Sequence, residues 1–155
     1  MSANVAAGIF FVLGLGVSYY GYRLIRKARA SAQWPAVQGK IESSTVDVER
    51  EREEDSDGDI HYERKYIPNI VYQYQVDGMD FMGDQISFGS TSSSSQGWAY
   101  KMRDQYPEGA EVAVYYDPEN PQEAVLQPGA KGATYIVMVI GVVFVLTGIL
   151  IFFVV

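Results

Sequence analysis

Seven carboxylates crowd the eleven residues Glu49 to Asp59, and Asp55, Asp57 and Asp59 stand at the i, i+2, i+4 spacing with which a calcium loop begins. Such a loop also needs glycine at its sixth position and a bidentate acid at its twelfth, where this chain has Ile60 and Tyr66. The run therefore reads as a solvated hairpin tip, with Glu53, Glu54, Asp55, Asp57 and Asp59 as a candidate acidic docking surface for a basic partner. The single histidine, His61, has no cysteine or second histidine with which to share a metal, so a solvent-facing strand position is expected of it. Ser92 to Ser95 lack a neighbouring base or the GxSxG elbow that exposes a nucleophile, and no glycine-rich phosphate loop occurs. Cysteine is absent, which removes thiolate chemistry and disulfides together. The expectation is a protein that is not an enzyme, with no catalytic residue, no metal and no cofactor.

These groups lie between two uncharged ends. Ser2 to Tyr22 and Gly132 to Val155 carry no charge, so all charged side chains fall between Arg23 and Lys131. Each run exceeds the ~20 apolar residues that cross a hydrocarbon core of ~30 Å. The organisation this predicts is a transmembrane helix over 3–28, a polar domain over 34–129 and a second transmembrane helix over 132–155. A cleaved secretory signal would carry its cations ahead of the apolar stretch, and here they follow it. A buried core helix would be amphipathic, whereas "GATYIVMVIGVVFVLTGILIFFVV" is apolar around its whole circumference.

Arg23, Arg26, Lys27 and Arg29 collar the first run on its domain side, where Lys40 and Lys131 also fall. Cations flanking a span are retained in the cytoplasm. The expected topology is two passes of the inner (plasma) membrane, both termini outside and the central domain cytoplasmic. The rule weakens for a loop near 100 residues, which keeps an exported domain as the alternative. The same collar suits anionic lipid headgroups, and Tyr19, Tyr20, Tyr22 and Tyr135 would form an aromatic belt at that level. The bilayer is thus one expected partner. Nucleic acid is not, because 19 acids against 8 cations from Ala30 to Lys131 would repel phosphate.

Small residues mark where the spans would touch something. Gly14 and Ser18 form a small-xxx-small pair, with Ala7, Gly8 and Gly21 near them, and Gly141 and Gly148 stand seven apart. Small side chains let backbones approach closely, so these helices are expected to pack on each other or on a membrane-protein partner, self-association included. Neither run holds Asp, Glu, His, Lys or Arg, which argues against a proton relay built by one copy.

The middle domain reads as strands. Val37 to Arg52 is rich in β-branched and alternating residues, and residues 61–76 alternate with Ile70, Tyr72, Tyr74 and Val76 on one face against Gln73 and Gln75 on the other. Pro68 removes a ladder donor and predicts an edge or bulge. Asp77-Gly78 supplies a tight hairpin turn, and "MDFMGDQISF" returns as a third strand. Trp98, Met102 and Tyr106 recur at helical spacing behind a capping serine. "AEVAVYYDP" alternates with Val112, Val114 and Tyr116 on one face, "DPENP" is a turn, and "EAVLQ" is a last strand. The fold class expected is two transmembrane α-helices flanking a small, mostly antiparallel β domain of about five strands, barrel-like or a curved sheet, with one short helix.

"WPAVQGKI", "PNIVYQYQVDG" and "YPEGAEVAVYYDPENPQEAVLQPG" together resemble a widespread, mainly bacterial family of small membrane-anchored proteins known only as a domain of unknown function. The similarity covers about residues 34–129, most specifically at Gly109, Val114, Tyr116, Asp117, Pro118, Pro121 and Leu126. It implies a mostly-β domain between membrane helices and brings no catalytic residue. The expected role is a membrane-anchored interaction or assembly module, such as an accessory subunit of a larger membrane complex. The alternatives are an immunity-like protective or sensory protein with an extracytoplasmic domain, and an enzyme acting on lipid headgroups.

Overall fold

A computed structural model describes residues 3–54, 60–89 and 93–154. In chain order the elements are α1 (Ala3–Ser31), β1 (Ala36–Glu54), β2 (Ile60–Val76), β3 (Met79–Gly83), α2 (Gln96–Gln105), β4 (Glu111–Asp117), β5 (Asn120–Val125) and α3 (Gly132–Val154). They form two compact units: α1 and α3 with the residues adjoining them, up to Gln33 and from Gly129, and the β domain Trp34–Pro128.

In the helical unit, Ala7–Ser31 and Gly132–Phe153 are long and apolar enough to cross a membrane. Only 17% and 11% of their most apolar windows are buried within the protein, which is not the environment of an interior helix. α1 runs three residues past the predicted end at 28. Its last turn is held by Ser31, whose hydroxyl donates to Ala28 O at 2.7 Å and accepts from Gly129 N at 2.9 Å. The side chain of Thr134 opens α3 by accepting from Lys131 N at 3.0 Å, satisfying one of the amides a helix start leaves free.

The β domain is one five-stranded antiparallel sheet of order β3-β2-β1-β4-β5. The predicted alternation sets its inner face: Ile70, Tyr72, Tyr74 and Val76 are buried while Gln73 and Gln75 are exposed. Ile41, Val114, Ala124, Leu126 and Ile86 complete the core with Tyr106, which α2 leads to its place at the helix C-cap. Ser95 caps α2 by accepting from Trp98 N. The packed positions of this segment are Ala99, Met102 and Tyr106, with Trp98 only half-buried.

The edges β3 and β5 share no ladder, so the sheet is curved and open, and the barrel-like alternative is not realised. Tyrosine hydroxyls cross the gap instead. Tyr72 Oη lies 2.8 Å from Ala124 O and 2.9 Å from Gln85 O, and Tyr74 Oη donates to Pro121 O at 2.7 Å. Two glycines make the inward curl possible: a Cβ on Gly83 would stand 2.7 Å from the Tyr72 ring, and one on Gly39 would meet Val114 at 2.6 Å and Gln73 O at 2.7 Å.

Several boundaries differ from those the sequence predicts. β3 stops at Gly83, because residues 84–88 leave β2 to reach the chain after β5, where Gln127 N donates to Ile86 O at 2.7 Å. β5 begins at Asn120 and so includes Pro121, which an edge strand tolerates. Pro68 sits where β2 has no β3 partner, since β3 pairs only with Tyr72 to Val76. Asp77 (φ 50°) and Gly78 (φ 81°) make the predicted left-handed turn between β2 and β3.

Burial first, then the neighbouring Tyr74 and Asp84, push the Tyr72 hydroxyl above its ordinary pKa of 10.0. The unfolded chain releases this proton near its ordinary value while the folded one retains it, so stability is intact below pH ~10 and falls as pH rises beyond it. Urea unfolding of the detergent-solubilised chain should therefore show falling stability above pH ~10. Tyr72→Phe should cost about 1–2 kcal/mol at neutral pH and make that alkaline loss shallower; an unchanged alkaline slope would refute the assignment.

Candidate functional site

The helical unit contains the densest contact among the residues singled out from sequence. Along α1 the buried positions Ala7, Gly14, Gly21 and Ala28 recur every seven residues, and along α3 Thr134, Gly141 and Gly148 do the same. A seven-residue repeat keeps one seam of a helix facing its neighbour. Glycine is sterically required along it. A Cβ on Gly14 would stand 2.6 Å from Val145 N, on Gly21 2.7 Å from Met138 Cα, on Gly141 2.5 Å from Ser18 N, and on Gly148 2.9 Å from Ala7 O. Gly14, Ser18, Gly141 and Gly148 are thus brought together in one antiparallel seam. The Ser18 hydroxyl is buried there without a hydrogen-bond partner among the described residues.

Of the collar, Arg23, Arg26 and Arg29 are exposed and Lys27 is half-buried. Arg29 Nη2 donates to the Tyr135 hydroxyl at 3.4 Å, with its guanidinium carbon 6.0 Å from that ring's centroid. The guanidinium thus lies at the edge of reach of the Tyr135 ring while remaining exposed. Tyr19, Tyr20 and Tyr22 are exposed near it on α1.

In the β domain the acidic run and the serine tract separate. Asp55, Asp57 and Asp59 lie outside the described residues, as does Ser92. Glu53 and Glu54 belong to β1, opposite His61 and Ile60 in the ladder, and His61 is exposed. Ser93 forms a backbone bridge with Tyr66 and its Oγ accepts from Ser95 N at 3.0 Å, while Ser95 caps α2. These serines shape a turn and a helix start.

A shallow cleft that no sequence motif announces opens where β3 leaves β2. It has a volume of about 450 Å³ and is lined by Asp47, Asn69, Asp84, Gln85 and Ser87 beside Ile67 and Pro68. Asn69 Nδ2 donates to Asp47 Oδ2 at 3.3 Å, so part of its polar lining is already paired. The cleft could accept hydrogen bonds from a polar or cationic group. Its residues are far apart in sequence, and only the departure of β3 at Gly83 and the β1–β2 register assemble them.

Because the chain has no cysteine, introduced thiols can report the helix pair directly. Phe10 and Phe144 meet edge to face with centroids 5.9 Å apart, so Phe10→Cys with Phe144→Cys should be bridged within one chain by a short bifunctional thiol reagent and migrate faster on a gel. Adding Gly141→Leu should reduce bridging by about tenfold, since the new side chain would occupy the space of Ser18. Equal bridging with and without it would show that the seam does not depend on glycine.

A search of the curated proteins found no match. The family described as a domain of unknown function (DUF3592) matches residues 37–131, more than half of the chain, beginning in β1 and closing just before α3. The matched segment holds the described sheet from Val37 onward, α2 and the tyrosines that bridge its open edge. The chain belongs to this family of domains of unknown function.

Proposed function

We propose that α1 and α3 span a membrane as a preassembled pair and that the β domain is a non-catalytic interaction or assembly module carried on them. The observation that carries this reading is the segregation of side chains. The helices expose Leu13, Leu15, Val139, Leu146 and Leu150 away from their common seam, and such a large apolar surface is what lipid covers. In the β domain the hydroxyls and amides of Tyr72, Tyr74, Gln127 and Ser95 are engaged in holding the fold, which favours a structural over a catalytic role.

The collar favours a cytoplasmic β domain, with the far ends of both helices on the opposite side. Arg23, Arg26 and Arg29 lie solvent-exposed at the end of α1 that leads into the domain, where the headgroup layer would begin. A domain on the other side, serving as an immunity-like binding protein, is the second reading. It is favoured only by the domain's length, which exceeds the range over which flanking cations dominate orientation.

Protease treatment of intact and permeabilised cells separates the two. A cytoplasmic β domain should survive digestion in intact spheroplasts and be cleaved after permeabilisation; cleavage in both would place it outside. Extraction of the chain into aqueous buffer without detergent would remove the membrane reading altogether.

A further inference from the structure

The distal half of β1 and β2 extends beyond the rest of the sheet. β4 pairs with β1 only from Ala36 to Lys40, whereas the β1–β2 ladder continues to Glu54 opposite Ile60. Residues directly opposite one another in an antiparallel ladder share a face, and neighbours along a strand point to opposite faces. Between Asp47 and Arg52 the register then sorts the charges by sign, Lys65 excepted. One face carries Val48 opposite Tyr66, Arg50 opposite Arg64, and Arg52 opposite Tyr62. The other carries Asp47 opposite Ile67, Glu49 opposite Lys65, and Glu51 opposite Glu63.

In the linear sequence, Glu49-Arg50-Glu51-Arg52 looks like a neutralised stretch. On a strand, period two converts it into a cationic face and an acidic one. The arginine face continues the side of the sheet on which Ile70 and Tyr72 are buried, but there Tyr62, Val48 and Ile60 are exposed at 68%, 48% and 46%. Arg50 against Arg64 and Glu51 against Glu63 place like charges across the ladder, an arrangement that disfavours an isolated ribbon. Within the acidic face Lys65 offsets part of the charge by pairing with Glu51.

We infer that this two-faced ribbon is a self-association surface, the arginine face of one copy seated on the carboxylate face of the next. Guanidinium groups match carboxylates with paired hydrogen bonds, and Tyr62 adds a hydroxyl and a ring to the arginine side. Because the two faces differ, each contact leaves one face free on either copy, so association runs on into chains or closed rings. Each face is only about 25 Å by 10 Å, well below the ~800 Å² per partner of a stable soluble complex. Association therefore depends on confinement of the copies in one bilayer, and in this it rests on the membrane reading above.

The test is energy transfer between donor- and acceptor-labelled full-length chains co-reconstituted in phosphatidylcholine vesicles, after flotation has established that the chain is in the vesicles. Wild-type transfer should exceed the random-collision level and fall towards it in about 0.5 M salt, where screening is short-ranged. Arg50→Glu/Arg52→Glu/Arg64→Glu alone, and Glu49→Arg/Glu51→Arg/Glu63→Arg alone, should each lower the excess by about threefold or more, and mixing the two should restore it. The milder Arg50→Gln/Arg64→Gln, which relieves like-charge repulsion within the ribbon, should still lower it. Wild-type transfer at the random level, failure of the mixture to recover, or sensitivity to the arginine change alone would overturn the inference; the last of these would indicate a different acidic partner. Absence from the floated vesicles would instead overturn the membrane reading, and the inference with it.

Discussion

The β domain depends on a phenol placed between two carbonyl groups. Tyr72 Oη reaches Ala124 O and Gln85 O across the gap between the sheet's unpaired edges, and Tyr74 Oη reaches Pro121 O beside it. A curved five-stranded sheet of this size has a shallow core, and a side chain that fills it with a ring while satisfying buried backbone acceptors answers both requirements at once. Gly83 and Gly39 follow from the same constraint, because a methyl group at either would strike the Tyr72 ring or the strand across it. The curl, the position of β5 and the exit of residues 84–88 are consequences of that arrangement.

The helical unit is governed by a different limit, the closeness of two backbones. Gly14, Gly21, Gly141 and Gly148 admit contacts that any side chain would block, so the pair is held by dispersion over a long seam. Ser31 adds a local clasp, linking the end of α1 to Gly129 on the return path of the chain. In the proposed setting the uncharged outer surfaces meet lipid, and the exposed arginines of α1 remain in the headgroup layer and beyond.

Several polar side chains of the β domain hold the fold together. Ser93 and Ser95 make a bridge and a cap, Gln127 Nε2 donates to the Tyr106 hydroxyl at 2.9 Å, and Asn69 is bonded to Asp47. The ribbon's charges and the cleft beside Pro68 lie at the surface, and the role proposed above assigns recognition to the ribbon.

The sequence alone determined the elements whose signal is local. The uncharged runs, the alternation of Ile70 to Val76, the Asp77-Gly78 turn and the serine cap of α2 each depend on a few neighbouring residues, and short-range sterics and burial suffice to specify them. Membership in the family was legible for a related reason, since turn prolines and core strands such as "VYYDP" must recur wherever this sheet forms. Tertiary structure decided everything that depends on pairing at a distance. Whether the sheet closed was not legible, because that turns on Tyr72 finding carbonyls 52 and 13 residues away. The end of β3 at Gly83 and the inclusion of Pro121 in β5 were hidden for the same reason. Ser31 had no motif to mark it, its partner Gly129 being 98 residues distant. The acidic run looked like one surface in sequence; alternation along β1 already parts Glu49 from Arg50, but that Arg64 joins Arg50 and Glu63 joins Glu51 is set by the β1–β2 register, a property of two strands and not of one.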